Sequence, residues 1–545
     1  MVHAVPSSYT GESVRSTIQR LYGQCSDVPV TILHATVPPV APCLYQQRSD
    51  VLNSIFHSIQ EQLYTKDPKI VENVPRRSSA ITDHWLLSVP ESLRYEEAAV
   101  VNYLGMMVAI DFCHWAEVPR SAGECVTASV GEEVTNFAGF YAVVEPFSRD
   151  SASVKGGATV SASVPGVFVE PSSTALKEQN TLPKSPDAPV TLLRGSAAMM
   201  YLLHRAVEVH HIPWYDPNFL QRFHGDTEAA MSALRVCFLG CEEDGITPLW
   251  MPCTRERVEL LLSLADAFNV RQTSYHALLR ECGGFMFAPE GAGVSTTSRG
   301  FVPALVHLHP RYCDFAYVPG DSSHCFGANS GETAPSVSAV PVLKLSQLTA
   351  LAIEQALPDL WRYQGAIEAS AKSTVSGVSP SERKDSWLTE RAARFTHSDA
   401  RTRLTDSCSP VSGVFSDHTK LSICCDYQIP KTLRAAGLLL YDDHLARVVD
   451  RHVLLSPGSA EEVSIRVATL VAADRLLEFI NAASQRPSLF QRGAGATASG
   501  VPGAPVQLPV IRSCNVNHLD YALWYVGRSM FPGEARHHLC RTIMY

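Results

Sequence analysis

A mainly α-helical fold is the class this 545-residue sequence predicts, and three observations predict it. Apolar residues recur at helical spacing in segment after segment. Strand-like alternation is confined to short pieces. Stretches rich in Ser, Pro and Gly interrupt the helical segments, and they look like surface loops on one compact core rather than linkers between domains. With 46% hydrophobic and 18% charged residues, the chain can bury a large core and falls outside the disordered class.

Taken in order, Asp50–Tyr64 predicts an amphipathic helix with Val51, Ile55, Ile59 and Leu63 on one face. Ala98–Trp115 contains an apolar helix or strand that delivers Asp111, Phe112, His114 and Trp115 to one place. Asn102 and Asp111 interrupt it, so it is unsuited to span a bilayer. Gly195–His210 reads as a buried helix, with a further one after DPNFLQRF. Glu256–Phe268 carries Val258, Leu261, Leu262, Ala265 and Phe268 in helical register. Leu343–Trp361 does the same through Leu345, Leu348, Leu351 and Ala352. Val463–Ala482 predicts a helix that begins in an extended E-V-S-I-R segment, and Leu519–Val526 predicts one near the end. Flexible insertions are expected at 151–189, 289–300, 320–341, 370–380 and 485–505, on a single domain covering 1–545.

The rest of the chain is organised around Leu421–Leu445, LSICCDYQIPKTLRAAGLLLYDDHL. A short apolar run through Leu421, Ile423, Cys424 and Cys425 ends at Asp426. Pro430 suits a first helical turn, and Leu433, Ala436, Gly437, Leu440, Tyr441, His444 and Leu445 then recur as one helical face. Asp426 is therefore a carboxylate between an apolar segment and a helix start. Two roles suit that position: a turn or capping residue accepting nearby N–H groups, or a pocket carboxylate kept ionised by those groups and aimed at a developing cation.

A formal net charge of −9 argues against a protein that grips a nucleic-acid backbone over a wide surface. The 15 cysteines are odd in number and follow no disulfide framework, which suits small buried side chains in a reducing compartment. The first residues lack the basic start and apolar core of a secretory signal, so a cytoplasmic protein is expected, although Ser and Arg with a single acid also suit an organellar transit segment. No Walker loop, dinucleotide fingerprint, H-E-x-x-H or metal-spaced cluster is present, so no cofactor and no metal are expected.

Four blocks in order carry a resemblance. CCDYQIPKTLRAAGLLLYDDHL is similar to the D-Y-x-[IL]-P-x-x-L-x-x-x-G-x-L-x-Y-x-D-x-L signature of the queuosine salvage proteins, the queuosine 5′-phosphate N-glycosylase/hydrolases. AAVVNYLGMMVAIDFCHWAE resembles that family's A-V-N-[WY]…L-N-F-x-F-W segment. Thr247–Gly284 resembles its M-P-L…E-R…L-L…F-G-G-S-F segment, and Leu519–Tyr545 its L-D-Y-x-L-W tail.

The resemblance implies a core related to the helix-hairpin-helix DNA glycosylases and hydrolysis of queuosine 5′-monophosphate to queuine and ribose 5-phosphate. It implies Asp426 as the carboxylate that stabilises or attacks the oxocarbenium-like sugar. Asp520 and Tyr521 then contact the base, His84 aligns with a family histidine, and Lys344 with Gln347 matches a Lys-x-x-Gln segment, making Lys344 a phosphate or ligand contact. Phe112 and Trp115 suit a sandwich around a planar base. The chain also departs from the pattern. Asp111 and His114 stand where Asn and Phe are expected, Cys424 where Phe is expected, and Tyr525 where the tail has a second Asp. The implied partner is a small nucleotide, with neither nucleic acid nor membrane. Two rivals compete with this reading. One is a DNA or RNA glycosylase, which needs a basic groove and a Gly-rich hairpin that are not visible. The other is a non-catalytic helical protein that binds queuine or the nucleotide, which the Cys424 and Tyr525 departures favour.

Overall fold

The longest apolar segments of the chain become its central helices. The computed structural model describes residues 5–6, 9–23, 28–40, 49–64, 85–117, 129–134, 137–144, 191–288, 300–319, 337–374, 414–485, 513–530 and 535–545. Among them the elements that position the cleft are α1 (Glu97–Ala109), β1 (Tyr141–Val144), β2 (Thr191–Arg194), α2 (Ser196–Glu208), β3 (Leu239–Cys241), β4 (Pro248–Trp250), α3 (Thr254–Arg271), α4 (Lys344–Thr374), α5 (Gln428–Ala435), β5 (Leu454–Leu455), α6 (Ala460–Gln485), α7 (Val516–Ser529) and β6 (Leu539–Cys540). The architecture is mainly helical, with short strands.

Helix α1 is apolar all round and buried on nearly every face, as a core helix must be. It packs on α3 and α4. A small antiparallel sheet in the order β2–β1–β3–β4 lies against α2. On the other side α5 packs on α6 and α7, and α7 also covers the helix Ser49–Tyr64. Helices α5 and α7 touch closely at Gly527, where a Cβ would collide with Thr432 Oγ1 and the Gln428 carbonyl. Thr432 Oγ1 donates to the Leu523 carbonyl at 2.7 Å. The parallel pair β5–β6 carries the chain's last residues into the core, where Tyr545 is buried.

The predicted helices near Asp50, Gly195, Glu256, Leu343 and Leu519 are all present; that near Gly195 is slightly shorter, at Ser196–Glu208, and that near Leu343 runs on to Thr374. Two expectations are corrected. The E-V-S-I-R segment is not extended; it is the second turn of α6, where Val463, Ile465 and Arg466 are all buried. Burial on every side overrides the weak helix preference of Val and Ile. The apolar face from Leu433 to Leu445 is not one helix. It stops at Ala435, Gly437 turns the chain at φ +74°, and a second helix, Asp443–Asp450, starts on an Asp442 cap. The insertions at 151–189, 289–299, 320–336, 375–380 and 486–505 lie outside the described residues. The end of the third stretch, Val337–Pro341, is a strand paired with Phe315–Pro319, and the start of the fourth, 370–374, is the end of α4 rather than a loop.

A buried ion pair ties α6 to the start of α4. Arg466 binds Asp314 through two bonds, Nη1 to Oδ1 at 2.6 Å and Nη2 to Oδ2 at 2.7 Å. Asp314 Oδ2 also accepts the Lys344 N–H at 3.1 Å, and its carbonyl accepts the N–H groups of Val342 and Leu343. Replacing Arg466 with Met would leave the Asp314 carboxylate uncompensated in the core. Arg466→Met should cost about 3–5 kcal/mol in denaturant unfolding, and Arg466→Met with Asp314→Leu should recover much of that loss. Equal stability of wild type and Arg466→Met would show that the pair does not hold these elements.

Candidate active site

The site begins where α1 ends. A helix C-terminus leaves unpaired carbonyls and a partial negative charge, and here buried cations meet them one after another. Arg311 Nε donates to the Ala109 carbonyl at 2.7 Å. Arg257, fully buried, donates to the carbonyls of Ile110, Phe112 and Cys113. Lys344 Nζ donates to the Asp111 carbonyl at 3.1 Å and reaches its Oδ2 at 3.3 Å. The backbone of 110–113 is thereby fixed, and with it the Asp111 and His114 side chains. Asp111 Oδ1 lies 2.7 Å from His114 Nε2. Burial opposes the charge on Asp111, but Lys344 and His114 outweigh it and hold the carboxyl well below the usual range. Burial lowers the His114 pKa, against the pull of Asp111.

Asp426 sits just ahead of α5, facing this loop across a cleft. Its Oδ1 accepts the N–H groups of Gln428 at 2.8 Å and Ile429 at 3.0 Å. Its Oδ2 has no protein donor among the described residues. The two roles open at this position are thus compatible: one oxygen caps the helix turn while the carboxyl lines the cleft. The two N–H groups and Lys344 favour the charged form of Asp426. Burial is the larger effect and raises its pKa despite Lys344 and the two N–H groups.

From α7 comes the second carboxylate. Asp520 Oδ1 accepts the Cys424 N–H at 2.6 Å, so the strand-like run before Asp426 is pinned to α7. Burial pushes the Asp520 pKa up to about 7; the Cys424 N–H and Lys344 oppose the rise, and the charge of Asp426 adds to it.

The cleft has two compartments that share Asp111, Ser196, Lys344, Asp426, Trp524 and Arg528 as their common wall. One, of about 140 Å³, is largely apolar and is lined by Trp85, Met200, Leu348, Leu351, Cys424, Asn517, Asp520 and Tyr521. Asn517 Oδ1 is buried there without a partner among the described residues. The other, of about 150 Å³, is ringed by Arg194, Lys431, Arg528 and Arg536, with His114, Trp115, His452, His537 and Tyr545 between them.

Asp426, Cys424, Asp520, Tyr521 and Lys344 therefore converge, as expected from the sequence. Three expected residues do not join them in the expected way. Phe112 lines neither compartment; its ring lies between the guanidinium groups of Arg257 at 4.3 Å and Arg311 at 4.8 Å. Trp115 lines the cationic compartment, away from the apolar one. Tyr525 is 46% exposed, stacks on Tyr521 with ring centres 5.8 Å apart, and lines neither compartment. His84 lies outside the described residues. Several lining residues were missed. Asn517, Trp524 and Arg528 share the helical face of Asp520, at spacings of three, four and eight, so that signal was available. Arg194, Lys431 and Arg536 come from separate segments and carried none.

Because Asp426 caps through one oxygen and is disfavoured as a buried anion, its neutral amide should be tolerated. A raised carboxyl pKa makes the folded state less stable as pH rises above the unfolded-state value. Asp426→Asn should therefore melt at or above the wild-type temperature at pH 7, whereas Asp426→Ala loses the cap and about 1 kcal/mol. Thermal unfolding of both variants decides this. A lower melting point for Asp426→Asn would show that the charge itself supports the fold.

Two comparisons with known proteins agree. Residues 406–545 match the family model described as queuosine salvage protein. A curated protein of Sphaerobacter thermophilus, named queuosine 5′-phosphate N-glycosylase/hydrolase, is 27% identical over 194 residues, an alignment covering 34% of this chain and 51% of that protein. The chain thus spans about half the length of the curated relative it matches. Both comparisons single out one family, and over 406–545, the stretch that contains Asp426, Asp520 and Tyr521, this chain is similar to the queuosine salvage proteins.

Proposed function

We propose that this protein hydrolyses the N-glycosidic bond of queuosine 5′-monophosphate, releasing queuine and ribose 5-phosphate for reuse in tRNA modification. The observation that carries the reading is the division of the cleft. An apolar compartment with acceptors and a cationic compartment meet at Asp426. A nucleotide has the same three parts in the same order. Its base would enter the apolar side, its sugar would lie over Asp426, and its phosphate would meet Arg194, Lys431, Arg528 and Arg536.

In this reading Asp426 stabilises the positive charge that develops on the sugar as the base departs. Asp520 and Asn517 Oδ1 accept from the N–H donors of a guanine-type edge and from the basic aminomethyl arm. Tyr521 and Trp524 offer flat apolar contact. Queuine has carbon where a purine has N7, so leaving-group assistance falls on other edge atoms, and the carboxylate beneath the sugar matters more. The proposed kinship of the core to helix-hairpin-helix DNA glycosylases rests on the sequence resemblance alone. The non-catalytic rival is weakened by geometry: Tyr525 lies outside both compartments, so the missing acid of the tail motif removes nothing from the cleft. The cations lie inside a compartment rather than along an open groove, which favours a small nucleotide over a nucleic-acid strand.

Chromatography of purified queuosine 5′-monophosphate after incubation with the protein tests the reaction. Wild type should release queuine, and Asp426→Asn should slow release by roughly 10²-fold or more. Absence of release, with tight binding retained, would establish the binder instead. Queuosine without its phosphate should be cleaved with kcat/KM at least about 10-fold lower, since each charge-assisted bond contributes about 1.5–3 kcal/mol; equal cleavage would remove the cationic compartment from the reading.

The Asp520 carboxyl gives a pH signature. With its pKa near 7, Asp520 is about half protonated close to neutrality. A base presenting N–H donors favours the carboxylate, so binding releases a proton. Queuine affinity, followed by titration calorimetry, should rise by up to about tenfold between pH 6 and 8. Asp520→Asn should flatten that rise, and an unchanged slope would place the titrating group elsewhere.

A further inference from the structure

We propose that Asp111 and His114 form a general-base dyad that activates the water attacking the sugar. The proposal rests on the hydrolase reading above and goes beyond it. Both residues depart from the family pattern, which has Asn and Phe at these positions, so the dyad is a feature of this chain.

The geometry assigns the parts. Lys344 and the buried ring of His114 keep Asp111 an anion, with Oδ1 placed 2.7 Å from His114 Nε2 and Oδ2 placed 3.3 Å from Lys344 Nζ. Nε2 therefore carries the ring proton and donates it to Asp111, which leaves the lone pair on Nδ1. His114 Nδ1 is buried and has no hydrogen-bond partner among the described residues. The side chain is 9% exposed and lines the cationic compartment beside Asp426, where the sugar phosphate would lie. A buried ring nitrogen without a partner is costly, and an incoming water or sugar hydroxyl supplies the missing donor. An aspartate that orients one ring nitrogen so that the other accepts a proton is the arrangement that general-base catalysis needs.

The charge state also fits. Burial is the leading influence on His114, and Arg257 from α3 and Lys344 from α4 add to it, while Asp111 opposes. The net result is a lowered pKa, so the ring is neutral at pH 7. Arg194 beside α2 and His537 in the C-terminal segment stand on other walls of the same compartment. Burial drives the His537 pKa down to about 4, so it adds no charge near neutrality.

In the step itself, Nδ1 takes one proton from water as the water oxygen bonds to the anomeric carbon. The carbon–nitrogen bond breaks and its electron pair leaves with the base. The proton on His114 then passes through solvent to the base nitrogen. One water is consumed, and its atoms end as the sugar hydroxyl and the base N–H.

The test uses the full chain with queuosine 5′-monophosphate, in wild type, His114→Phe, His114→Gln and Asp111→Asn. Both His114 variants should lose about 10²-fold in kcat with KM nearly unchanged. The acid limb of the wild-type kcat profile should vanish with them. Asp111 raises the His114 pKa, so Asp111→Asn should move the remaining limb to lower pH. Queuine binds in the other compartment, which His114 does not line, so its affinity should be the same in wild type and both His114 variants, which controls for folding. Cleavage by His114→Phe at the wild-type rate with an unmoved limb would sink the dyad and leave the hydrolase reading intact. Loss of queuine affinity in parallel with kcat would make the pair structural and also overturn the proposal. A wild type that cleaves nothing would overturn both readings together.

Discussion

Five consecutive carbonyls, from Ala109 to Cys113, are the constraint on which the site depends. They belong to the frayed end of α1 and the turn after it, inside a core where water cannot satisfy them. Arg311, Arg257 and Lys344 supply the donors, from three separate parts of the chain. Each cation lies near negative partial charge that the helix dipole gathers there, and two of them also face the Phe112 ring. Fixing the carbonyls fixes the direction in which Asp111 and His114 leave the backbone. The cleft is thus built from the inside, by a packed polar cluster beneath its floor.

The supporting elements hold strained backbone in place. Cys113, Cys253, Leu343 and His452 all have φ between +46° and +53°, a region that side chains other than glycine rarely adopt. Cys113 lies in the loop under His114, Cys253 precedes the helix that carries Arg257, Leu343 precedes Lys344, and His452 lines the cationic compartment. The Leu343 conformation is held from two sides by Asp314, whose carbonyl takes the Leu343 N–H and whose carboxylate takes that of Lys344 and binds Arg466. Arg466 in turn lies 4.3 Å over the Tyr545 ring, and the Tyr545 carbonyl accepts the Cys113 N–H at 3.1 Å. The ion pair, the strained turn and the loop that carries Asp111 and His114 therefore form one connected unit.

Much of this was legible in the sequence, and the limits have physical causes. Helix positions followed from apolar spacing because most helices bury a definite face. The spacing failed where it carried no direction: at Glu462–Arg466, which is buried all round, and at Gly437, where helical spacing continues through a turn that only backbone geometry reveals. The place of Asp426, between an apolar run and a helix start, was legible from its neighbours, whereas the choice between cap and pocket carboxylate came from the resemblance. Phe112 was misread because an aromatic beside a site suits a base and suits a cation equally, and nothing local shows that Arg257 and Arg311 arrive from 145 and more residues away. The cationic ring was invisible for the same reason, its members being scattered from Arg194 to Arg536.

The charge balance at the centre of the cleft gives the arrangement its direction. Three carboxylates, Asp111, Asp426 and Asp520, share one interior ammonium, Lys344, which acts on all of them. Among the described residues Lys344 pairs with Asp111 alone, and the other two carboxyls stay elevated in pKa by burial. Asp426 and Asp520 thus face the cleft without an ion-pair partner among the described residues, in a medium of low dielectric where each added charge counts heavily. In the proposed reaction, a substrate that is neutral at its sugar would gain little from these carboxylates. A sugar becoming an oxocarbenium would gain much more, and it would do so only on the way to bond cleavage. Binding that strengthens as the reaction proceeds is what lowers a barrier. The cations on the far side of Asp426 stand around the other compartment, where a phosphate would take up their charge. In the proposed reading the same carboxylate would serve as the boundary between an anion-binding half and a cation-stabilising centre.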